Sequence, residues 1–223
     1  MAISFHRSRS LLPVVILTCL LTSCVGSRKG VDPTVRIMGE NGTELGVTTH
    51  YGVLFLGRYS NAGPVEIEAV FGDGPSIEFS VIEPLGAELY TAETTARLPA
   101  VPMTFQALKP GQKVILRGRT AKRSWQRSVK VRTHESVHGI LLETCREMNG
   151  HPDQIGAGVF LNKTSRPEDL RLIGLVSGRI TLQIDGKSKT YLTVKGPESL
   201  WRMVTHKRQF PRTRKWVYRD DVM

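Results

Sequence analysis

The sequence predicts an all-β fold with one helix near its carboxyl end. Short runs rich in Val, Ile, Leu, Phe and Tyr alternate with Gly, Pro, Asn and Asp along most of the chain, which is typical of strands separated by turns. Apolar and polar residues alternate most clearly in Val65–Phe71 and Ile180–Ile184, as in strands with one buried face. Regularly spaced strands of this kind favour barrels or a sandwich.

The same pattern gives approximate strand positions and one helix after them. The helix is predicted after Gly196 because Pro197 suits its first turn and Glu198 complements its dipole. An apolar stripe follows at helical spacing, formed by Leu200, Trp201, Met203 and Val204. The predicted strands lie near 34–38, 45–50, 52–57, 65–71, 76–82, 87–91, 113–119, 124–132, 138–143, 156–162, 171–178, 180–185 and 188–194.

The amino-terminal residues are organised like a secretory signal. Arg7 and Arg9 precede an almost continuous apolar run over 11–21, which is shorter than the roughly 20 residues needed to cross a bilayer. The next four residues, Leu21-Thr22-Ser23-Cys24, resemble the lipobox of bacterial lipoproteins. The resemblance implies that 1–23 are removed as a signal peptide and that Cys24 is acylated, with a diacylglycerol on its thiol and a further chain such as palmitate on its amino group.

A lipid on Cys24 implies a particular location and a particular neighbour. The protein would be anchored to a membrane of the bacterial cell envelope and face outside the cytoplasm, with the lipid bilayer as a partner. Residues 24–33 form a polar tether of at most about 30 Å. The mature chain keeps Cys145 as its other cysteine, so no internal disulfide is expected and the fold must depend on an apolar core. No cofactor is expected.

The chain is basic, with 31 Lys and Arg against 20 Asp and Glu. The positive residues concentrate in Arg117–Arg132 and in a tail over 206–223. Outside the cytoplasm, an anionic membrane or cell-wall surface is a more natural partner for such stretches than nucleic acid. The alternative is that they are solvated faces without a dedicated partner.

Several short blocks follow one another in a consistent order between residues 34 and 205. They are Tyr51-Gly52-Val53-Leu54, Val81-Ile82, Leu108–Val114, Asp153–Phe160 and Gly174-Leu175-Val176-Ser177-Gly178. In order and spacing these blocks resemble the trypsin-like serine proteases, especially their disulfide-free high-temperature-requirement branch. The resemblance implies a two-barrel trypsin-like (chymotrypsin) fold, with one β-barrel over 34–110, a second over 111–205, a C-terminal helix and a cleft between the barrels.

The resemblance places unreactive residues at two of the three catalytic positions. Ile155 stands at the nucleophile, Arg58 at or near the base, and Glu88 at the acid. Isoleucine has no hydroxyl, and arginine stays protonated and cannot accept a proton. The sequence therefore predicts a protease-like domain without catalytic residues, which binds a peptide or protein in the inter-barrel cleft or acts as a scaffold. Two alternatives are an active protease with a differently placed triad and an unrelated structural β-domain.

A competing motif lies at residues 134–138, His-Glu-Ser-Val-His. On a helix, His134 and His138 would bind zinc from one face while Glu135 activates water, as in HExxH metallopeptidases. Gly139 disfavours a helix there, and the third ligand is undefined, with Glu143, Glu147 and His151 as candidates. We therefore keep the zinc peptidase as an alternative and favour a strand over 138–143.

Overall fold

A computed structural model describes residues 32–39, 42–58, 65–69, 77–79, 82–84, 89–92, 99–144, 154–162, 164 and 169–209. Several predicted features lie outside these residues, namely the signal peptide, Cys24, Glu88, Cys145, Glu147, His151, Asp153 and the tail beyond Gln209. The strands are β1 (Thr34–Gly39), β2 (Gly42–Thr49), β3 (Gly52–Phe55), β4 (Val65–Ala69), β5 (Ile77–Phe79), β6 (Ile82–Pro84), β7 (Tyr90–Ala92), β8 (Lys113–Arg119), β9 (Ser124–His134), β10 (Val137–Glu143), β11 (Gly158–Asn162), β12 (Leu170–Ile184) and β13 (Lys187–Lys195), and the helix is α1 (Pro197–Gln209).

The first seven strands form one antiparallel sheet in the order β5-β4-β1-β2-β3-β7-β6. β1 is an inner strand and pairs on both sides, with Ile37 opposite Glu44 of β2 and opposite Ile67 of β4. The predicted single strand over 76–82 is wrong in detail. Residues 77–79 form β5, which pairs with β4, and Ile82 begins β6, which pairs with β7. These two strands are the first and the last in the order of the sheet, so they are two separate strands.

The remaining six strands close into a barrel in the order β10-β13-β12-β11-β8-β9. Along β8 the residues alternate, with Lys113 exposed and Val114 and Leu116 buried, because successive side chains of a strand point to opposite faces. The inward side chains fill the barrel as a continuous apolar cluster, which includes Leu142, Val159, Ile173 and Leu192. This packed interior is the apolar core on which the sequence predicted the fold to depend.

β12 is one strand of 15 residues, where the sequence predicted two strands over 171–178 and 180–185. A bulge at Ser177 shifts the register between Val176 and Gly178 without ending the pairing with β13, as bulges do. Beyond the bulge, β12 and β13 form a ribbon that reverses at Asp185 and Gly186, with φ of 52° and 71°. Positive φ at both positions is the requirement of a type I′ hairpin turn.

A second apolar cluster joins the sheet, the barrel and the helix. It contains Val47 and Leu54 of the sheet, Phe160 and Leu175 of the barrel, and Leu200, Met203 and Val204 of α1. The helix was predicted from this stripe, and the structure confirms it. The segment between the two sheets runs along the same seam, because Val101 bridges to Thr49 and Met103 bridges to Leu172.

Among the described residues, no helix has both the length and the apolar character that a membrane span requires.

Candidate functional site

Arg58 lies three residues after the end of β3, and the residue before it, Gly57, has a backbone conformation that favours glycine. Gly57 has a φ of 69°, and a Cβ at this position would overlap the ring of Tyr90. That ring also stacks on Phe55, with the ring centroids 5.8 Å apart and the planes inclined by 27°. The aromatic pair therefore fixes the backbone from which the exposed Arg58 side chain projects.

The Arg58 guanidinium crosses from the sheet to the barrel. Its Nη2 donates a hydrogen bond to the carbonyl oxygen of Ser177, the residue at the bulge of β12. A cleft of about 300 Å³ surrounds this contact, lined by Leu56, Gly57, Arg58, Tyr90 and Ser177. The predicted base position thus lies in a cleft shared by both halves of the fold.

A second, larger cavity of about 480 Å³ also has Ser177 in its wall. Its walls are residues 137–140, the last residues of β13 and the first turn of α1. The Ser177 hydroxyl lies 3.0 Å from the Thr193 hydroxyl oxygen. Ser177 lines both cavities, so a bound segment could extend from one into the other.

Ile155 lies in the turn before β11 and packs, half-buried, against the apolar cluster that joins sheet, barrel and helix. Its carbonyl oxygen accepts a hydrogen bond of 3.1 Å from the amide of Leu45, and the amide of Gly156 donates to the Val176 carbonyl at 2.8 Å. Gly156 has a φ of 82°, and a Cβ there would overlap the Leu45 backbone. These contacts hold the turn rigidly against β2 and β12.

The structure brings Arg58 and Ser177 into contact. The described residues that line the Arg58 cleft do not include Ile155. The two positions are linked through Leu56, which lines the cleft and also belongs to the cluster on which Ile155 packs. The side chain of Ile155 offers neither a nucleophile nor a hydrogen-bonding group.

Sequence reasoning missed the residue before Ile155. Gln154 is 3% exposed, and its Oε1 accepts a hydrogen bond of 2.8 Å from Nη2 of Arg179. A buried amide needs such a partner because an unpaired polar group in the interior is costly. Its neighbour Ile155 was singled out only through the resemblance, and no local pattern distinguishes Gln154 from a surface glutamine.

The histidine nearest to Arg58 in sequence is not in a position to serve the cleft. His50 is exposed in the turn that precedes β3, whereas Arg58 follows the other end of that strand. A strand of four residues separates the two ends by about 13 Å. His50 therefore lies too far along the sheet for a direct proton transfer to a group beside Arg58.

The HExxH motif lies on a β-hairpin, which contradicts the helix that a zinc peptidase requires. His134 ends β9, Val137 begins β10, and Glu135 and Ser136 form the turn between them. The His134 ring bonds locally, with Nδ1 at 2.8 Å from the Ser136 hydroxyl. Gly139, with a φ of 122°, lies within the irregular stretch of β10, where no helix can form. Within the described ranges, no cluster of three His, Cys, Asp or Glu could hold a metal ion.

The basic stretch Arg117–Arg132 is the hairpin of β8 and β9, and its cations do not form one uniform surface. Arg119 is 2% exposed. Arg117 is half-buried, and burial lowers its pKa while nearby Asp32 raises it. Arg132 pairs with Glu143 at 2.5 Å. The cations that remain exposed along this hairpin include Lys122, Arg123, Arg127 and Lys130.

Comparisons with known proteins identify the fold. Neither a scan against protein-family models nor a search of curated proteins found a match. Among solved structures, kallikrein-related peptidase 10 matches with 13% identity and a TM-score of 0.58 over 81% of this chain and 98% of its own. The chain has the two-barrel fold of the trypsin-like serine proteases.

Two further trypsin-like structures support the same assignment. An inactive form of Rv3671c from M. tuberculosis H37Rv matches with 13% identity and a TM-score of 0.54 over 85% of this chain and 93% of that one. A serine protease from a human pathogenic astrovirus matches with 10% identity and a TM-score of 0.51, over 76% and 94% of the two chains. At these identities the likeness establishes the trypsin-like fold, and the chemistry must be argued from the residues of this chain.

Proposed function

We propose that this protein is a lipid-anchored envelope protein whose trypsin-like domain binds a peptide or protein segment and does not cleave it. The observation that carries the proposal is Arg58, which stands in the cleft between the two barrels and is hydrogen-bonded to the Ser177 carbonyl. A protonated guanidinium in that place has donors to offer and no lone pair with which to accept a proton.

Chemistry at the cleft is limited by the residues at the predicted catalytic positions. Peptide cleavage by this fold needs a hydroxyl nucleophile and a neighbouring base that takes its proton. Ile155 cannot supply the first, and Arg58 cannot supply the second. Ser177 does carry a hydroxyl, but among the described residues its side chain pairs with the Thr193 hydroxyl, and another alcohol is not a base that could activate it for attack.

The same residues suit the binding of an acidic segment. Among the described residues, Arg58 donates to a neutral carbonyl, that of Ser177. A carboxylate on an incoming segment would be a stronger acceptor, because it adds the attraction between opposite charges and can accept two parallel N–H bonds from the guanidinium. Tyr90 offers an aromatic wall beside it, of the kind that anchors bound peptides.

A photo-cross-linking phenylalanine derivative that replaces Tyr90, a residue that lines the same cleft, tests the binding function in the anchored protein in its native envelope and leaves Arg58 in place. We expect an adduct with one partner after irradiation. The matched control carries the same amino acid in place of Lys130, which is exposed on the outer face of β9, and should give no such adduct. Equal adducts at both positions, or none at position 90, would contradict ligand binding in the cleft and leave a scaffold role.

A fluorophosphonate probe, which reacts with activated serines, tests the loss of catalysis in the same preparation. We expect the native protein to be labelled no more than the heat-denatured protein. The variant Ile155→Ser should also stay unlabelled, since it gains a hydroxyl but no base. Labelling of the native protein at a specific serine would show that the triad lies elsewhere and that the protein is an active protease.

A further inference from the structure

Two large aromatic side chains contact each other at the surface, and neither lines the Arg58 cleft. Phe105 is 39% exposed and Trp201 is 52% exposed, with ring centroids 5.3 Å apart in an edge-to-face arrangement at 77°. Trp201 follows the buried Leu200 on α1, whose inward face packs on the cluster between the barrels. Because the fold already buries that inward face, the exposed Phe105–Trp201 pair is not needed to attach the helix.

The Phe105–Trp201 pair lies close to the point where the amino-terminal tether enters the fold. Thr48 receives the chain there, since its amide donates to the Pro33 carbonyl at 2.8 Å. The carbonyl of Thr48 accepts from the amide of Val101 at 3.0 Å, and Phe105 follows Val101 by four residues, at most about 14 Å of chain. The tether to Cys24 spans at most about 30 Å, so a lipid on Cys24 and the aromatic pair can reach one membrane plane.

The sequence that follows Trp201 carries charge of the sign that a bacterial membrane attracts. Residues 206–223 contain six Lys and Arg and two Asp, and they include three aromatic residues, Phe210, Trp216 and Tyr218. Clustered cations beside aromatic residues favour an anionic lipid surface, where the cations meet the headgroups and the amphipathic rings settle at the interface. A protein partner of this pair would not by itself account for the clustered positive charge.

We propose that the Phe105–Trp201 pair docks on the surface of an anionic lipid bilayer. The pair and the basic tail then hold the domain against the membrane beside the anchor, so that the domain has a preferred orientation and not a free one. This inference uses the lipid anchor of the proposed function, and the experiment separates the two.

Tryptophan quenching by brominated lipids tests the docking in the mature lipidated protein. The protein is reconstituted into vesicles of phosphatidylcholine alone or of phosphatidylcholine mixed with phosphatidylglycerol, in each case with brominated acyl chains. All proteins compared carry Trp216→Phe, so that the tryptophan of the tail does not contribute to the quenched emission. In this background we expect Trp201→Phe to remove most of the quenched emission in the anionic vesicles. The matched control is Trp125→Phe, a half-buried position against the barrel core, which should leave the quenched emission unchanged. In neutral vesicles the quenching of Trp201 should fall by about half or more, because the cations then gain no attraction.

The measurements test the lipid anchor, the docking of the aromatic pair and the role of charge separately. Flotation of the protein with neutral vesicles reports the lipid anchor alone, and its absence would contradict the anchor. Quenching in anionic vesicles still decides the docking in that case. Quenched emission that is equal with and without Trp201→Phe in this background would overturn the docking, even where the anchor holds. Equal quenching of Trp201 in both lipids would overturn the role of charge.

Discussion

At the scale of single residues, the backbone at Arg58 and at Ile155 is set by a neighbouring glycine, Gly57 or Gly156, where a Cβ would overlap other atoms. Arg58 and Ile155 were assigned from the order of blocks in the sequence, Arg58 after the Tyr51–Leu54 block and Ile155 within the Asp153–Phe160 block, and their assignment to catalytic positions stays a prediction. The contact of Arg58 with Ser177 could not be predicted, because a carbonyl becomes available only where β12 bulges, and a bulge leaves no signature in the residue types here. Gln154 was missed because its burial is decided by tertiary contact.

Gly156→Ala should destabilise the protein more than Gly111→Ala, although both glycines have a positive φ, 82° and 81°. Both substitutions incur the conformational strain of about 1–2 kcal/mol. Only at Gly156 would the new methyl group overlap a neighbouring backbone, that of Leu45, whereas Gly111 faces open space. We expect an extra loss of about 1–3 kcal/mol for Gly156→Ala, measured as the free energy of unfolding in urea. Equal losses would contradict the close approach of this turn to β2.

At the scale of elements, the sequence predicted the positions of some strands well, including two that are bounded by turns. The prediction for 113–119 coincides with β8, and that for 188–194 falls within β13. Prediction was less accurate at β12, where Gly178 and Arg179 interrupt the apolar pattern but do not end the strand. The pairing with β13 continues past them, and this pairing with another strand is not visible in the residue pattern of β12 itself. The HExxH motif was also ambiguous in the sequence, because such a motif indicates a zinc site only when it lies on a helix.

β12 changes character along its length, and two isoleucines on it should report the difference. Ile173 is fully buried inside the closed barrel, so Ile173→Ala should cost about 2–5 kcal/mol. Ile180 is half-buried on the ribbon beyond the bulge, and Ile180→Ala should cost about 1 kcal/mol. Urea unfolding of the two variants compares them under one condition. A larger loss at Ile180 would mean that the ribbon packs on something other than its own strands.

At the scale of the whole molecule, the described residues belong to one unit that comprises residues 31–223. Its fold was predicted from the sequence as a two-barrel trypsin-like fold with a C-terminal helix, and the structural comparisons confirm this. The anchor stays a prediction, because Cys24 lies outside the described residues. The loss of catalysis also stays a prediction, because Glu88 and Asp153 lie outside them and chemistry cannot be transferred at 10–14% identity.

Attachment of the whole protein to the membrane should depend on one residue. We expect radiolabelled palmitate to be incorporated into the native protein and lost in Cys24→Ser, because the acyl chains are carried by that residue. Cys145→Ser is the matched control and should keep the label. Label that survives Cys24→Ser would show that the protein is not a lipoprotein of this kind.

The position of β1 has a mechanical consequence for a protein held by its amino terminus. Any pull on the tether reaches β1 first and acts along its length. β1 is paired on both sides, with β2 and β4, and ladder hydrogen bonds run across the strand direction. The load is therefore shared by two ladders in shear and is not applied to one ladder at a free edge. Thr48 would pass part of that load to the segment between the two barrels through its bonds to Pro33 and Val101, so that tension at a lipid on Cys24 would reach this segment as well as β1.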